Sequence, residues 1–503
     1  MKLAKKQIFY IFLFALLFKP LWIFEIDSIN TQDDLSYWLH GATLAIDFDI
    51  DYQNDYKLNS SIFHPSTNTP FHPPGAGYAS APFIYIFEKL DKLSGNSFER
   101  VNPVGSFAYL GYFLSSLFYC LCGLSLLSKI IQKNNINNYQ LLYFITFLSS
   151  LVHFVTTRFL MSHSFEFFLC SYLIYCFETT ENFYDFKSFN KIIFLYFALS
   201  LTRPSTFIFS LCLIGYYSEK FQFKKLISNF QIYSIFFFGT VYVFLSNFLY
   251  EDNFILLNLS NNSTTSEFVS DFTLSNYFIG LSKIVNLIFS FSMGLIWTMP
   301  TIIFSIFIAF YFWKKRDIST KKIFFIFLYY FGAFSVLFIW QGREIAYGQR
   351  LLIGLLPLSF LIISKFEVKS VLIQKFYFVF LFIHYLYFYS PNLTLVEGRN
   401  LWGIVTKFSP TNYTFNLLIN LFQYENILYI LLKNIYSINF INLFNYEVVF
   451  KLPFVEKLIT QGNQIEKLRN TLFEYSNIDA FYLIIVNLFI FLFCFGLIKI
   501  SSR

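Results

Sequence analysis

Apolar runs separated by short charged connectors set the rhythm of this chain. The runs lie at Ile8–Phe24, Val104–Leu127, Tyr139–Val155, Ser164–Phe177, Lys191–Leu201, Ser205–Tyr217, Gln231–Leu249, Thr301–Trp313, Ile323–Trp340, Leu351–Ser364, Phe376–Tyr389 and Phe481–Ile498. A helix needs about 20 predominantly apolar residues to cross a bilayer. The pattern therefore predicts an all-α polytopic membrane protein with about twelve transmembrane helices. Several runs are short for that task, so those helices must tilt, break or sit in thinned bilayer.

The connectors alternate in charge. Lys129/Lys133, Lys187/Lys191, Lys220/Lys224/Lys225, Lys314/Lys315/Arg316/Lys321/Lys322 and Lys365/Lys369/Lys375 fall on one side with both termini. Lys and Arg concentrate in cytoplasmic loops, which makes that side the cytoplasm. Three longer segments then face outward: Glu25–Pro103, Tyr250–Ser292 and about Pro391 to Ala480. The domain reading that follows is a catalytic membrane domain over 1–390, with 25–103 as an outward loop containing short helices. Residues 391–503 form a tail section ending in one more span, and Leu417–Leu432 reads as an interfacial helix.

Composition agrees with this picture. The 503 residues are 56% hydrophobic and 13% charged, against about 25% charged in soluble domains. Heavy Phe, Tyr, Ile, Asn and Lys usage is what an AT-rich genome favours and is not read as a ligand box. The six cysteines all lie in apolar runs, which signals neither a disulfide framework nor a thiolate zinc site. The basic start, Met1–Lys6, resembles a signal peptide in charge, but no small-residue cleavage site follows, so the first run reads as a retained span. With no Walker A or Gly-x-Gly-x-x-Gly sequence and no cytoplasmic soluble domain, nucleotide chemistry is not expected.

Candidate chemistry gathers in the outward loops. Asp33 and Asp34 open the segment Asp33-Asp34-Leu35-Ser36-Tyr37-Trp38 just beyond the first run. Carboxylates at a membrane boundary usually serve a polar cavity. Helix capping explains one aspartate but not two; Asp33 and Tyr37, four apart, share a helix face. A carboxylate there suits a general base. Further on, Phe71-His72-Pro73-Pro74-Gly75 holds His72 on a proline-stiffened backbone, either as a substrate contact or as a plain re-entry turn.

Arg158, His163 and Glu166 stand at the outward ends of their runs, with His163 and Glu166 on one face. Arg203-Pro204 interrupts an apolar stretch as a tight outward turn carrying one cation. Arg343 and Arg350 flank another short outward loop, and the guanidinium fork suits phosphate oxygens; helix-end snorkelling is the bland alternative. Asp47, Asp49, Asp51 and Asp55 leave a divalent cation open, but they lack the glycine turn and terminal Glu of an EF-hand, and a solvated acidic loop is the simpler reading. No metal ligand is assigned.

Asp33-Asp34-x-x-Tyr37 followed by His72-Pro73-Pro74 resembles the integral-membrane GT-C glycosyltransferases. These include protein O-mannosyltransferases and the bacterial enzymes that add aminoarabinose to lipid A. Bacterial glycosyltransferase-like proteins of that group share more: stretches like Gly41–Tyr56 and His72–Phe83, and elements like Ser162-His163, Gly294–Pro300 and Tyr347-Gly348-Gln349-Arg350. The likeness covers roughly residues 1 to 360.

The resemblance implies transfer of a sugar from a polyprenyl-phosphate carrier to a lipid, glycan or protein acceptor on the periplasmic face of a bacterial inner membrane, as in lipopolysaccharide or protein glycosylation. By it, Asp33 is the catalytic base and Asp34 stands for the usual Glu. Tyr37, His72 and His163 contact substrate, and Arg203, Arg343 and Arg350 hold the lipid phosphate. Phe71 and His72 replace the Glu and Lys of the aminoarabinose enzymes, which argues against that sugar. Two other readings compete. An O-antigen polymerase or ligase would concentrate its arginines in later loops, and a lipid-glycan transporter would show a repeat and charges at mid-span.

Overall fold

A computed structural model describes residues 32–56, 69–133, 140–221, 231–250, 300–339 and 350–365, short gaps apart, together with Ile8, Ile288, Leu295 and Met299. The chain divides into two compact units, and the first (1–277, 301–342 and 349–367) holds almost all of the described residues. The first run, the run Phe376–Tyr389 and the whole 391–503 section lie outside them, as does Arg343.

The described part is all helical. In chain order it runs α1 (Gln32–Ile46), α2 (Gln53–Tyr56), α3 (Gly75–Ser94), α4 (Phe107–Lys133), α5 (Gln140–Phe147), α6 (Leu151–Thr156) and α7 (His163–Thr179). Then follow α8 (Phe186–Thr202), α9 (Pro204–Ser210), α10 (Cys212–Tyr216), α11 (Gln231–Tyr250), α12 (Pro300–Lys314), α13 (Thr320–Ile339) and α14 (Leu356–Lys365), with short 3-10 turns at Ser218–Lys220 and Arg350–Leu355. Among the described residues, two helices are long and apolar enough to cross a membrane, Phe107–Lys133 and Ile232–Leu249.

Local chemistry explains the boundaries. The run Tyr139–Val155 breaks into α5 and α6 where Ser149 bonds back to the Ile145 carbonyl and accepts from the Leu151 N–H, a side chain competing with the helix ladder. Arg203 lies outside helical geometry (φ −149°, ψ 89°) and Pro204 starts α9 at its first position, where its missing N–H costs nothing. The expected turn is therefore a junction between α8 and α9, closed by Tyr196 donating to the Ser210 carbonyl. Asp185 caps α8 through the Ser188 N–H. Gly95, at φ 69°, ends α3 in the left-handed conformation.

Packing brings the helix ends together. Asp91, near the end of α3, accepts from the Phe107 and Ala108 N–H groups and so caps α4, which runs back antiparallel. Ser80 and Ser115 bond across that pair. Helix α7 lies parallel to α4, with Tyr112 donating to the Leu160 carbonyl and Ser116 meeting Ser164. Helices α1 and α3 approach at Gly77, where a Cβ would stand 2.6 Å from the Tyr37 carbonyl oxygen. At the far end of α7, Lys133 and Lys220 donate to the carbonyls of residues 177–180, and Lys365 pairs with Glu178. Cations there complement the negative end of the helix dipole.

Candidate functional site

The first turn of α1 carries Asp33 and Asp34, inside the helix rather than at its cap, where negative charge suits the dipole. Successive residues point about 100° apart on a helix, so the two carboxylates diverge. Asp34 is buried and receives Arg158 in a forked grip: Nε at 3.0 Å and Nη2 at 2.9 Å from Oδ2. Asp33 faces a partly open space. His72 Nε2 lies 3.0 Å from its Oδ1, and Arg350 Nη1 donates to its Oδ2 at 2.7 Å.

His72 is held from every side. Its N–H donates to Ser36 Oγ (3.0 Å), its carbonyl accepts from His40 Nε2 (2.7 Å), and its ring stacks on Tyr37 at 4.9 Å and 10°. Tyr37 OH in turn accepts from Ser162 Oγ. The proline pair that follows leads straight into α3, whose first residue Gly75 abuts Leu201 and Thr202 beside Arg203.

A second buried node sits at the start of α7. Glu166 is fully buried, receives Thr206 Oγ1 at 2.5 Å and His163 Nδ1 at 3.1 Å, and has Arg203 Nε 3.5 Å from Oε2. That last distance is an ion pair without a good hydrogen bond. The Nε and Nη2 of Arg203 are buried and find no hydrogen-bond acceptor. Gly354 leaves room for the Glu166 carboxylate, since a Cβ there would stand 2.8 Å from Oε1.

Three arginines thus meet three carboxylates, but on unequal terms: Arg158 with Asp34 is sealed, Arg203 keeps spare donors, and Arg350 with Asp33 reaches solvent. Side-chain exposure separates them, at 5% and 4% for Arg158 and Asp34 against 21% and 31% for Arg350 and Asp33. Burial pushes the Asp33 carboxyl upward, but His72 and Arg350 outweigh it and hold the group well below the ordinary 3.8. Burial pushes His40 down to about 3, so its imidazole is neutral.

Of the residues expected from sequence, Asp33, Asp34, Tyr37, His72, His163, Arg203 and Arg350 converge here. Arg350, expected to be free for a phosphate, is paired with Asp33 in this ligand-free structure. The acidic loop resolves differently from a cation site: Arg100 grips Asp47 (2.5 and 2.8 Å) and reaches Asp55 (3.1 Å), while Thr43 also donates to Asp55. Among the described residues no cluster of three or more His, Cys, Asp or Glu side chains is arranged to hold a metal ion. Sequence reasoning missed the partnership of Arg158 with Asp34, and it missed Thr206, Ser36 and His40 altogether.

No family model, curated protein or solved structure matches this chain.

Proposed function

We propose that the protein is a membrane glycosyltransferase of the GT-C kind, moving a sugar from a polyprenyl-phosphate carrier to a lipid, glycan or protein acceptor at the outer face of a bacterial inner membrane. The observation that carries this reading is a solvent-reached carboxylate, Asp33, gathered in one site with a largely buried guanidinium, Arg203, whose Nε and Nη2 find no hydrogen-bond acceptor. Tyr37 lies between them electrostatically, feeling both Arg203 and Asp33.

In this mechanism the acceptor's hydroxyl oxygen attacks the sugar's anomeric carbon and its proton passes to Asp33. The bond from that carbon to the phosphate oxygen breaks, and the carrier phosphate leaves with the electron pair. Its added charge falls on Arg203, whose unpaired N–H groups are placed in advance, and such preorganised donors stabilise charge that develops in the transition state. Arg350 starts on Asp33 and is drawn toward the incoming phosphate, which frees the base. His163, bonded to Glu166, sits behind the phosphate seat as part of its wall.

Sidedness supports the same reading. The site residues gather at the His163 end of α7, while Lys133, Lys220 and Lys365 gather at its Thr179 end. A 17-residue helix separates the two by roughly 25 Å. That span is close to the hydrocarbon thickness of a bilayer, with the lysines on the inner side.

The test is direct. Full-length protein in lipid nanodiscs is given radiolabelled undecaprenyl-phosphoryl sugars one at a time, and release of undecaprenyl phosphate is followed. Consumption of at least one donor, lost in Asp33→Asn, is expected. Failure to bind undecaprenyl phosphate or to consume any of the donors removes the proposal.

A further inference from the structure

The rules of hydrogen bonding fix a direction in a chain of three side chains behind His72. A carbonyl oxygen only accepts, so His40 Nε2, 2.7 Å from the His72 carbonyl, must carry the proton. A neutral imidazole with Nε2–H has an acceptor at Nδ1. Tyr52 OH, 2.6 Å away, must therefore donate to it. The Tyr52 oxygen is then left to accept, and Tyr78 OH, 3.1 Å off, donates to it. Each proton points one way: from Tyr78 to Tyr52, from Tyr52 to His40, and from His40 to the backbone of His72.

The chain joins elements that share no local sequence. Tyr78 lies in α3, Tyr52 just ahead of α2, and His40 in α1, fully buried. Edge-on ring contacts of His40 with Tyr52 and Tyr78 keep the order tight. With the Ser36 bond to the His72 N–H, this chain pins both polar groups of one peptide residue whose ring lies against Asp33.

We propose that Tyr78, Tyr52 and His40 are positioning residues for the Asp33–His72 pair: the His72 carbonyl fixes the His40 tautomer, and the Tyr52 hydroxyl holds that imidazole in place behind His72. The proposal rests on the glycosyltransferase reading for its kinetic consequence, but the tautomer assignment stands independently. Were Tyr52 to lose its hydroxyl, the buried His40 Nδ1 would lose the donor the hydroxyl supplies. The imidazole would then be held less firmly against the His72 carbonyl, and the His72 ring would lose its register with Asp33.

The experiment uses the full-length protein in nanodiscs, labelled with nitrogen-15 at histidine, of which the chain has six. His40 is assigned by its loss in His40→Gln. In the unsubstituted protein its nitrogen shifts should report a neutral ring protonated at Nε2; protonation at Nδ1 overturns the proposal. In Tyr52→Phe the ring should stay protonated at Nε2, while its Nδ1 shift moves as that nitrogen loses the hydroxyl donor. Turnover of donor should fall about tenfold, the upper end for one hydrogen bond, while binding of undecaprenyl phosphate stays within about twofold. A merely structural role would lower melting temperature and carrier binding together, and that result, or unchanged turnover, overturns the proposal. Should Tyr52→Phe fail to fold, Tyr78→Phe removes only the far donor and is expected to lower turnover about threefold with carrier binding intact; unchanged turnover there overturns it. If the unsubstituted protein consumes no donor, the glycosyltransferase reading fails, and the wild-type tautomer alone decides the chain.

Discussion

Asp33 and Asp34 are neighbours on one turn of α1 and live in different surroundings. Asp34 is closed in against Arg158 across 124 residues of sequence, both side chains almost without solvent. Asp33 keeps about a third of its side-chain surface and shares its oxygens between an imidazole and a guanidinium that are themselves partly open to solvent. A sealed ion pair specifies structure, because separating its members leaves a buried charge unpaired. An open carboxylate held by exchangeable partners can trade them for a substrate. The same residue type is thus sealed into the architecture at one position and, at the next, left open for the chemistry proposed above.

Four measurements bear on this contrast. The largest effect should come from Asp33→Asn, which keeps shape and removes the base of the proposed mechanism. Donor turnover is expected to fall by about 10²–10⁴-fold with carrier binding and melting temperature nearly unchanged. A comparable fall in melting temperature would merge the two aspartates into one structural role.

Asp34→Ala should do the reverse. Arg158 would lose its buried carboxylate partner, at a cost of about 3–5 kcal/mol in unfolding free energy. Replacing both members, Asp34→Leu with Arg158→Met, should recover most of that stability. If the single and double replacements are equally unstable, the pair is not the source of the cost.

The third measurement is the acid limb of donor turnover. Asp33 is held well below 3.8, so it remains ionised on acidification, and on the proposed reading the limb seen in kcat/KM should lie below that pH. Arg350→Gln removes the fixed positive charge beside Asp33, so the Asp33 carboxyl rises and the limb moves to higher pH. A limb that stays in place separates Arg350 from Asp33.

The last measurement concerns His40, which belongs to the sealed side. Its folded value of about 3 lies below the ordinary 6.5, so the unfolded chain binds the extra proton between those values. Stability from this group is complete above pH 6.5 and is lost progressively as pH falls toward 3. His40→Asn should flatten that part of the melting-temperature profile, and an unaltered slope would show that other groups set it.

Much of the helical skeleton was readable beforehand. The runs at Val104–Leu127, Ser164–Phe177, Gln231–Leu249 and Ile323–Trp340 lie within or nearly within α4, α7, α11 and α13. The structure adds the breaks, at Ser149 and Arg203, where a side chain or a proline interrupts the ladder. It also shows that the run Leu351–Ser364 begins as a 3-10 turn before α14. The candidate site was legible as a list of residues and not as a set of partners. Asp47 and Asp55 read as a loose acidic loop because Arg100, which neutralises them, is some 45 or more positions away.

By itself, the sequence determined what local physics can decide. Apolar run length set the helices, proline and serine set their breaks, and carboxylates and arginines in apolar surroundings marked where polar chemistry must be housed. Tertiary structure alone decided which charge answers which. Arg350 reaches Asp33 across 317 residues, and Arg158 takes Asp34 rather than its neighbour. Those choices depend on the parallel seating of α7 on α4 and on the close approach of α1 to α3, because Coulomb attraction and hydrogen bonding act over a few ångströms of space and carry no memory of chain distance.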